Sequence, residues 1–153
     1  MTNLIIKHIN NISKIADIYS GVGTYSFPLS EFCRVDMFEG NKSMIDSIRK
    51  VQNDKIRSFV RNLHNDPLIA DELNNYDAVV INPPRNGSSR QIEEIKKSKL
   101  NKIFMIYCSH KTFKRDSKIL IDSGFVIISA NLIDQFYYTD HFEIFAYLQR
   151  NKN

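Results

Sequence analysis

The sequence predicts an α/β fold built on a mostly parallel seven-stranded sheet with one antiparallel strand. Short runs rich in β-branched and aromatic residues alternate with amphipathic stretches, which is the pattern of consecutive βαβ units. The last two strand-like runs break this alternation, because only Gln135–Asp140 separates them, and they are expected to pair as an antiparallel hairpin. A length of 153 residues with 42% hydrophobic residues suits one packed core. Residues 1–153 are therefore predicted to form one domain.

The elements follow from local periodicity. The predicted strands are Ile15–Tyr19, Cys33–Glu39, Ile56–Arg61, Asp77–Asn82, Lys102–Cys108, Gly124–Asp134 and His141–Arg150. The predicted helices are Leu4–Ser13, Ser43–Val51, Pro67–Asn74, Ser88–Lys97 and Lys111–Ser123. Ala78–Ile81 is a continuous apolar run typical of a strand buried on both faces, whereas Ile45 and Ile48 show the helical step. Right-handed crossovers would bring the carboxyl ends of the parallel strands to one edge, where ligands bind.

Composition excludes several classes of protein. No apolar stretch reaches the roughly 18 residues of a membrane span, and Met1–Lys14 lacks the pattern of a signal peptide, so a cytoplasmic location is expected. Two cysteines, Cys33 and Cys108, are too few for a disulfide framework or a structural zinc site, and no metal site is predicted. The net charge of +4 is compatible with a nucleic-acid partner.

A glycine-containing turn follows the first predicted strand. Gly21 and Gly23 allow a tight turn and a close approach of the backbone to a ligand, and they lie in register with Asp17 and Glu39. Glu39 ends the second strand about 20 residues on, where a carboxylate can accept both hydroxyls of a ribose. Ser26 stands where a dinucleotide site has its third glycine, which disfavours NAD. The pattern predicts a nucleotide-like cofactor; the alternative is an ordinary strand-to-helix turn.

A proline pair follows the apolar fourth strand. Pro83 and Pro84 have fixed φ angles and lack N–H donors, so they can hold the Asn82 amide in one direction, towards a planar nitrogenous ring. Arg85 follows them and offers a charged donor. The alternative interpretation is a simple strand terminator.

Cys108 ends the fifth predicted strand, at the same sheet edge as the two preceding motifs. The helix predicted to begin near Lys111 would favour its thiolate, which suggests a nucleophile, although a free cysteine is commonly a small buried apolar residue. Cys33 has no polar neighbours of this kind and is predicted to lie in the core. A cationic stripe that can contact phosphate or simply face solvent lies beside the thiol; its members are Lys111, Lys114, Arg115 and Lys118.

His141 and Glu143 begin the last predicted strand. They alternate with Phe142 and therefore share one face of that strand. A carboxylate there can serve as a general base, and His141 is predicted to contact the substrate; the alternative is an edge strand with polar residues facing water.

Taken in order, these motifs resemble the RNA uracil-5-methyltransferase family, which methylates tRNA and rRNA with S-adenosylmethionine. The segments that carry the resemblance are DIYSGVGTYSFPL (Asp17–Leu29), Phe38-Glu39, RNL (Arg61–Leu63), YDAVVINPPRNG (Tyr76–Gly87), IYCSHKTFKRD (Ile106–Asp116) and DQFYYTDHFE (Asp134–Glu143). The resemblance implies a Rossmann-like class I methyltransferase fold. It also implies cofactor contacts from Tyr19, Thr24, Glu39 and Asn62, with Cys108 as nucleophile and Glu143 as base.

The chain departs from the family pattern near its reactive residues. Asn82 stands where the family has Asp, Ser109-His110 stand where it has Asn-Pro, and Tyr107 stands where a small residue is usual. Family members also carry RNA-binding and central regions before the catalytic domain, which this sequence lacks. We therefore expect a split or truncated gene product that acts with a separately encoded RNA-binding subunit.

Two other functions fit parts of the pattern. In an amino-group methyltransferase, Asn82-Pro83-Pro84 would bind an exocyclic amine. However, Arg85 stands where such enzymes have an aromatic residue that stacks on the base, and this function would not use Cys108 and Glu143. A non-catalytic remnant that binds the cofactor or RNA is the third possibility. Both methyltransferase hypotheses require binding of S-adenosylmethionine, so a binding measurement distinguishes them from a remnant that has lost the cofactor.

Overall fold

The computed structural model describes residues 1–134 and 142–151. Its helices are α1 (Thr2–Ile6), α2 (Ser26–Leu29), α3 (Lys42–Arg49), α4 (Ala70–Leu73), α5 (Ser89–Lys97) and α6 (His110–Asp122). Its strands are β1 (Lys14–Ile18), β2 (Arg34–Glu39), β3 (Ile56–Val60), β4 (Ala78–Ile81), β5 (Lys102–Tyr107), β6 (Phe125–Ile133) and β7 (Glu143–Arg150). None of the helices within these two ranges is long and apolar enough to cross a membrane.

The strands of the described residues form one sheet with the order β3-β2-β1-β4-β5-β7-β6. The first five pair in parallel, so their carboxyl ends meet at one edge. β7 runs antiparallel to both β5 and β6 and lies between them. The predicted α/β class, the seven strands and the single reversed strand near the sheet edge are confirmed.

Both faces of the central strands are buried, whereas most side chains of the edge strand β6 are exposed. Val80, Phe104 and Phe145 belong to one apolar cluster, which α1, α2 and α3 cover. Val79, Met105 and Ala146 belong to the other, which α4, α5 and α6 cover. Because successive side chains of a strand point to opposite faces, membership of the two clusters alternates along β4, β5 and β7. This alternation fixes the face on which each polar residue at the strand ends lies.

Several helices are shorter than their periodicity predicts. The predicted helix Leu4–Ser13 ends as α1 at Ile6, because the chain turns and Asn11 takes a positive φ of 64°. Ile9 and Ile12 remain buried in the core although they are not helical. The predicted helix Pro67–Asn74 begins only at Ala70 in α4. Leu68 stays outside it because its N–H and C=O groups bond the side chain of Gln91, each at 2.9 Å.

Candidate active site

Five of the predicted site residues lie at the carboxyl edge of the parallel strands, and the alternation places them towards the same face. They are Asp17, Glu39, Asn82, Cys108 and Glu143. Each is two residues from a member of the cluster beneath α1, α2 and α3, the strand neighbours being Ile15, Met37, Val80, Ile106 and Phe145. Residues up to 126 positions apart in the sequence thus lie at the same edge of one sheet. The residues predicted to bind the cofactor and those predicted to be catalytic therefore lie at the same edge of the sheet.

The glycine turn and Glu39 are held together by hydrogen bonds. The N–H of Gly21 donates to Glu39 Oε2 at 3.1 Å, and the N–H of Asn41 donates to Glu39 Oε1 at 2.9 Å. Gly21 and Gly23 have φ angles of 55° and 86°, which favour glycine, and a Cβ on Gly23 would come within 2.8 Å of the Phe27 ring. The carboxylate keeps lone pairs free for further donors. The turn therefore presents Glu39 as an acceptor.

Asp17 lies beneath this turn and is fully buried. Ser26 Oγ donates to Asp17 Oδ2 at 2.5 Å, whereas Oδ1 has no hydrogen-bond partner among the described residues. Burial raises the pKa of Asp17 to about 7, and the charge of Glu39 adds to the rise, while the Ser26 hydroxyl opposes it. A carboxyl group that titrates near neutral pH thus lies directly under the predicted cofactor turn.

Tyr19 and Asn62 lie at the same edge, Tyr19 directly after β1 and Asn62 shortly after β3. Tyr19 has a positive φ of 62° and lines a small cavity with His64 and Gly87. Burial raises the pKa of the Tyr19 phenol to about 12. Asn62 follows β3, is exposed, and accepts a bond from the N–H of His64 through Oδ1 at 3.2 Å. Both side chains are presented at the strand ends, where the cofactor was expected.

A cavity of about 330 Å³ lies between Thr24, which follows the glycine turn, and Glu143 at the start of β7. Its lining includes Thr24, Asn82 and Glu143, together with Met1, Thr2 and Tyr25. Glu143 Oε2 is buried and has no hydrogen-bond partner within the described ranges. Burial raises the pKa of Glu143 above its ordinary value of 4.5. A carboxylate with raised proton affinity and an unused oxygen is suited to accept a proton.

Cys108 lies beside Glu143 in the sheet. Tyr107 of β5 pairs with Ile144 of β7, so the residue after Tyr107 and the residue before Ile144 meet at the sheet edge. Cys108 is exposed, unlike Cys33, which is buried as predicted. Ser109 caps α6 by accepting the N–H of Thr112 at 3.5 Å. An accessible thiol between a strand end and a helix start can act as a nucleophile.

The loop after β4 is attached to α6. Pro83 is buried, whereas Pro84 and Arg85 are exposed. The carbonyl oxygen of Arg85 accepts a bond from Thr112 Oγ1 at 3.3 Å. Arg115, a member of the cationic stripe that can contact phosphate, donates to Asp116 Oδ1 at 2.7 Å and to the carbonyl oxygen of Asn86 at 3.2 Å. His141 lies outside the described residues.

A larger cavity of about 480 Å³ lies at the β3 side of the sheet, away from Cys108. Its cations are already paired: Arg57 and Lys14 lie 2.6 and 3.1 Å from the same Asp36 oxygen. Asp36 also accepts the Tyr76 hydroxyl at 2.8 Å. The third cation of the cavity, Arg61, pairs with Asp66 and Glu72. None of the predicted reactive residues lines this cavity.

Residues 51–151 match the family model described as tRNA (uracil-5-)-methyltransferase. The chain belongs to this family. An RNA methyltransferase of Caulobacter vibrioides is 34% identical over 98% of this chain, and a 23S rRNA (uracil(1939)-C(5))-methyltransferase of Legionella pneumophila is 29% identical over 95%. The chain spans 37% and 34% of the lengths of these two relatives, respectively.

Solved structures support the same assignment. The tRNA (uracil-54, C5)-methyltransferase of Pyrococcus abyssi, solved with S-adenosyl-L-homocysteine, superposes with a TM-score of 0.78 at 26% identity, covering 96% of this chain and 36% of that one. The precorrin-6y C5,15-methyltransferase of Geobacter metallireducens gives a TM-score of 0.74 at 14% identity, covering 97% of this chain and 87% of that one, and shows the fold alone. The Rossmann-like methyltransferase fold is confirmed.

The sequence alone did not predict a buried polar cluster that the structure of this family member contains. Asp116 is fully buried and accepts bonds from the Ser88 N–H at 3.0 Å and the Tyr107 hydroxyl at 2.9 Å. A signal was present, since Phe113, Asp116 and Leu120 follow at helical spacing and put a carboxylate on the apolar stripe of α6. A carboxylate at such a position needs buried partners.

Proposed function

We propose that this domain methylates C5 of uridine in RNA with S-adenosylmethionine, through a covalent bond from Cys108 to the base. The observation that carries the proposal is the cavity that Thr24, Asn82 and Glu143 line together, beside Cys108 at the end of β5. This cavity supports the proposal because Thr24 belongs to the segment predicted to bind the cofactor, while Glu143 is the predicted base. Membership of the uracil-5-methyltransferase family supports the same reaction.

The residues of the first two strand ends fit the cofactor. Glu39 offers two carboxylate oxygens at the end of β2, as a ribose requires, and the space beside Gly21 is open. Oδ1 of Asp17 has no hydrogen-bond partner among the described residues and can accept a bond from a cationic group of the cofactor. Thr24 borders the adjoining cavity. When bound, S-adenosylmethionine supplies an electrophilic methyl group on a sulfonium.

Cys108 supplies the nucleophile that uracil chemistry requires. C5 of uracil is too weak a nucleophile to react directly, so the thiolate first adds to C6, and the electron pair of the C5–C6 double bond moves towards O4 as an enolate. Arg85, at the exposed tip of the loop after β4, can donate to O4 and stabilise this charge. The activated C5 then takes the methyl group.

Glu143 completes the reaction. After methylation C5 carries both a proton and a methyl group, and the Cys108–C6 bond must break. The Glu143 carboxylate removes the C5 proton, the C5–C6 double bond re-forms, and the thiolate leaves. The raised pKa of Glu143 makes its carboxylate a stronger base than an ordinary glutamate. The proton then passes to water, and the thiolate is regenerated.

RNA is the substrate class that we propose. The names of the relatives include both a tRNA and a 23S rRNA methyltransferase. The exposed Lys111 and Lys114 on α6 lie close to Cys108 in the chain and can contact phosphates on either side of the target. A separately encoded RNA-binding subunit stays a prediction, and the assay below includes an arm for it.

Covalent trapping on 5-fluorouridine-substituted RNA tests the proposal. Fluorine replaces the C5 proton, so the methylated adduct cannot eliminate and remains bound to the protein in denaturing gels. We expect the wild-type chain with S-adenosylmethionine to form this adduct on tRNA or 23S rRNA transcripts. Cys108→Ala should abolish it, whereas the control Cys33→Ala, in the buried core, should retain it.

Each other outcome has a defined meaning. An adduct that survives loss of Cys108 contradicts the mechanism. No adduct with wild type, either alone or with a purified RNA-binding subunit, contradicts the activity. Calorimetry then separates a remnant that still binds S-adenosylmethionine from a chain that has lost the cofactor.

A further inference from the structure

The buried cluster around Asp116 connects three segments of the chain. Asp116 belongs to α6, Ser88 follows the loop after β4, and Tyr107 is the last residue of β5. Asp116 Oδ2 accepts the Ser88 N–H at 3.0 Å and the Tyr107 hydroxyl at 2.9 Å, and the hydroxyls of Ser88 and Tyr107 lie 3.3 Å apart. Asp116 Oδ1 accepts Arg115 Nε at 2.7 Å. Each oxygen of this buried carboxylate therefore has a donor.

The loop after β4 has little freedom to leave this cluster. Gly87 has a φ of 76°, and a Cβ at this position would collide with Arg115 Nη2 and lie 2.8 Å from Asp116 Oδ2. Arg115 also donates to the carbonyl oxygen of Asn86 at 3.2 Å, and Thr112 Oγ1 donates to that of Arg85 at 3.3 Å. The backbone of the loop that carries Arg85 is therefore fixed directly to α6.

The cluster fixes the position of Cys108 as well. Tyr107 is 1% exposed, and its ring packs edge-on against Phe113 of α6 at 5.8 Å. Cys108 follows it directly, and the next residues are Ser109 and His110. Neither of those has a fixed φ, so rigidity here must come from neighbouring contacts. The Tyr107 hydroxyl supplies one contact through its bond to Asp116.

We propose that Asp116 is a positioning residue that sets the distance between the Cys108 thiol and the loop Asn82–Gly87, with the Tyr107 hydroxyl as its link to β5. The role rests on the proposed function, because the thiolate must approach C6 of a base that this loop holds. Misplacement by about 1 Å slows such steps strongly. Neither residue touches the substrate in this role; both act through the groups that do.

Tyr107→Phe tests the proposal, since it removes the hydroxyl and keeps the ring. A matched control is Tyr147→Phe in β7, where the lost hydroxyl bonds only Gln149 at 3.1 Å among the contacts of the described residues. The first readout is amide hydrogen exchange at Ser88, whose N–H donates to the same Asp116 oxygen as the Tyr107 hydroxyl. The second is the rate of adduct formation at saturating 5-fluorouridine RNA, measured well below each variant's Tm.

We expect Tyr107→Phe to speed exchange at Ser88 and to slow adduct formation, each by about tenfold or more. The KM for RNA and the Kd for S-adenosylmethionine should stay within about twofold of wild type, because the sites themselves are intact. Tyr147→Phe should change neither readout. Asp116→Asn, which keeps the volume and loses the charge, should give the same pattern if it folds.

Three results would overturn the inference. Unchanged exchange at Ser88 removes the coupling between the two segments. Faster exchange at Ser88 with an unchanged rate of adduct formation would show that the cluster stabilises the fold without positioning Cys108. If Tyr147→Phe changes both readouts as Tyr107→Phe does, the effect is not specific to the Asp116 cluster. If the wild-type chain forms no adduct, the proposed function fails, while exchange at Ser88 still decides whether Asp116 couples the loop to β5.

Discussion

Gly21 and Glu39 are joined by a hydrogen bond of 3.1 Å between the backbone N–H of the first and Oε2 of the second. The bond ties the turn after β1 to the end of β2. It orients the carboxylate towards the turn while leaving acceptor capacity on both oxygens. A cofactor that lies over the turn and offers two ribose hydroxyls would meet this carboxylate.

Glu39→Ala should weaken binding of S-adenosylmethionine. Loss of charge-assisted hydrogen bonds costs about 1–3 kcal/mol, which raises the Kd about 5- to 150-fold. Glu39→Gln keeps an acceptor for the Gly21 N–H and should weaken binding less. Isothermal titration calorimetry measures both variants. Glu31→Ala, at an exposed position before β2, serves as the control, and wild type that does not bind at millimolar cofactor contradicts the cofactor site.

Asp17 should make the stability of the fold depend on pH. Its pKa of about 7 lies above the ordinary value of 3.8, so the folded state holds the proton more tightly than the unfolded state does. The free energy of unfolding therefore falls as pH rises from about 4 to 7, and the loss persists above pH 7. Relative to wild type, Asp17→Asn should gain about 2–3 kcal/mol between pH 5 and pH 8.

Urea unfolding at the two pH values measures this difference. Asp54→Asn is the matched control, because Asp54 is exposed and should show no relative gain. A constant difference between Asp17→Asn and wild type at pH 5 and pH 8 would show that Asp17 titrates normally.

Glu143→Gln should separate the two halves of the reaction. With ordinary uridine RNA the methylated adduct should form and then persist, because the amide cannot remove the C5 proton. Denaturing gels with a radiolabelled methyl group detect the accumulated adduct. In wild type the decay of the adduct should slow as pH falls through the raised pKa of Glu143, since protonation removes the base. Glu93→Gln on α5 should leave the decay unchanged.

The decay must be measured in single turnover, so that the rate of the earlier addition step does not enter the measurement. Rapid decay of the adduct in Glu143→Gln would assign the proton transfer to another group.

Asn82→Asp should improve binding or turnover, because it restores the carboxylate that the family usually has at this position. The new charge shares a cavity with Glu143, so it should also raise the pKa of Glu143 further and move the acid limb of the decay to higher pH. Steady-state methylation and calorimetry measure the two effects. Asn101→Asp, an exposed position just before β5, is the control. Equal or lower activity would show that Asn82 is adapted to this chain and would favour the amino-group alternative.

Much of the fold could be predicted because its signal is local. The apolar run Ala78–Ile81 and the alternation of short strands with helices predict a parallel sheet, and the short interval before the last strand predicts its reversal. Helix lengths were less predictable. The segment around Leu68 has the composition of a helix, but the Leu68 N–H bonds the side chain of Gln91, 23 positions away. Such a contact has no signature in the local sequence.

Local sequence patterns were enough to predict the fold class and the strand ends where the site residues lie, because period-two alternation and glycine or proline turns depend only on neighbouring residues. These site residues are Asp17, Glu39, Asn82, Cys108 and Glu143. The proton affinities and hydrogen-bond partners of polar groups, in contrast, depend on contacts between segments that are distant in the sequence. Asp17 titrates near neutral pH because the packed sheet removes water from it. Asp116 acquires its role because folding brings Ser88 and Tyr107 to one carboxylate. Desolvation and long-range pairing depend on the assembled core, which no single segment of sequence contains.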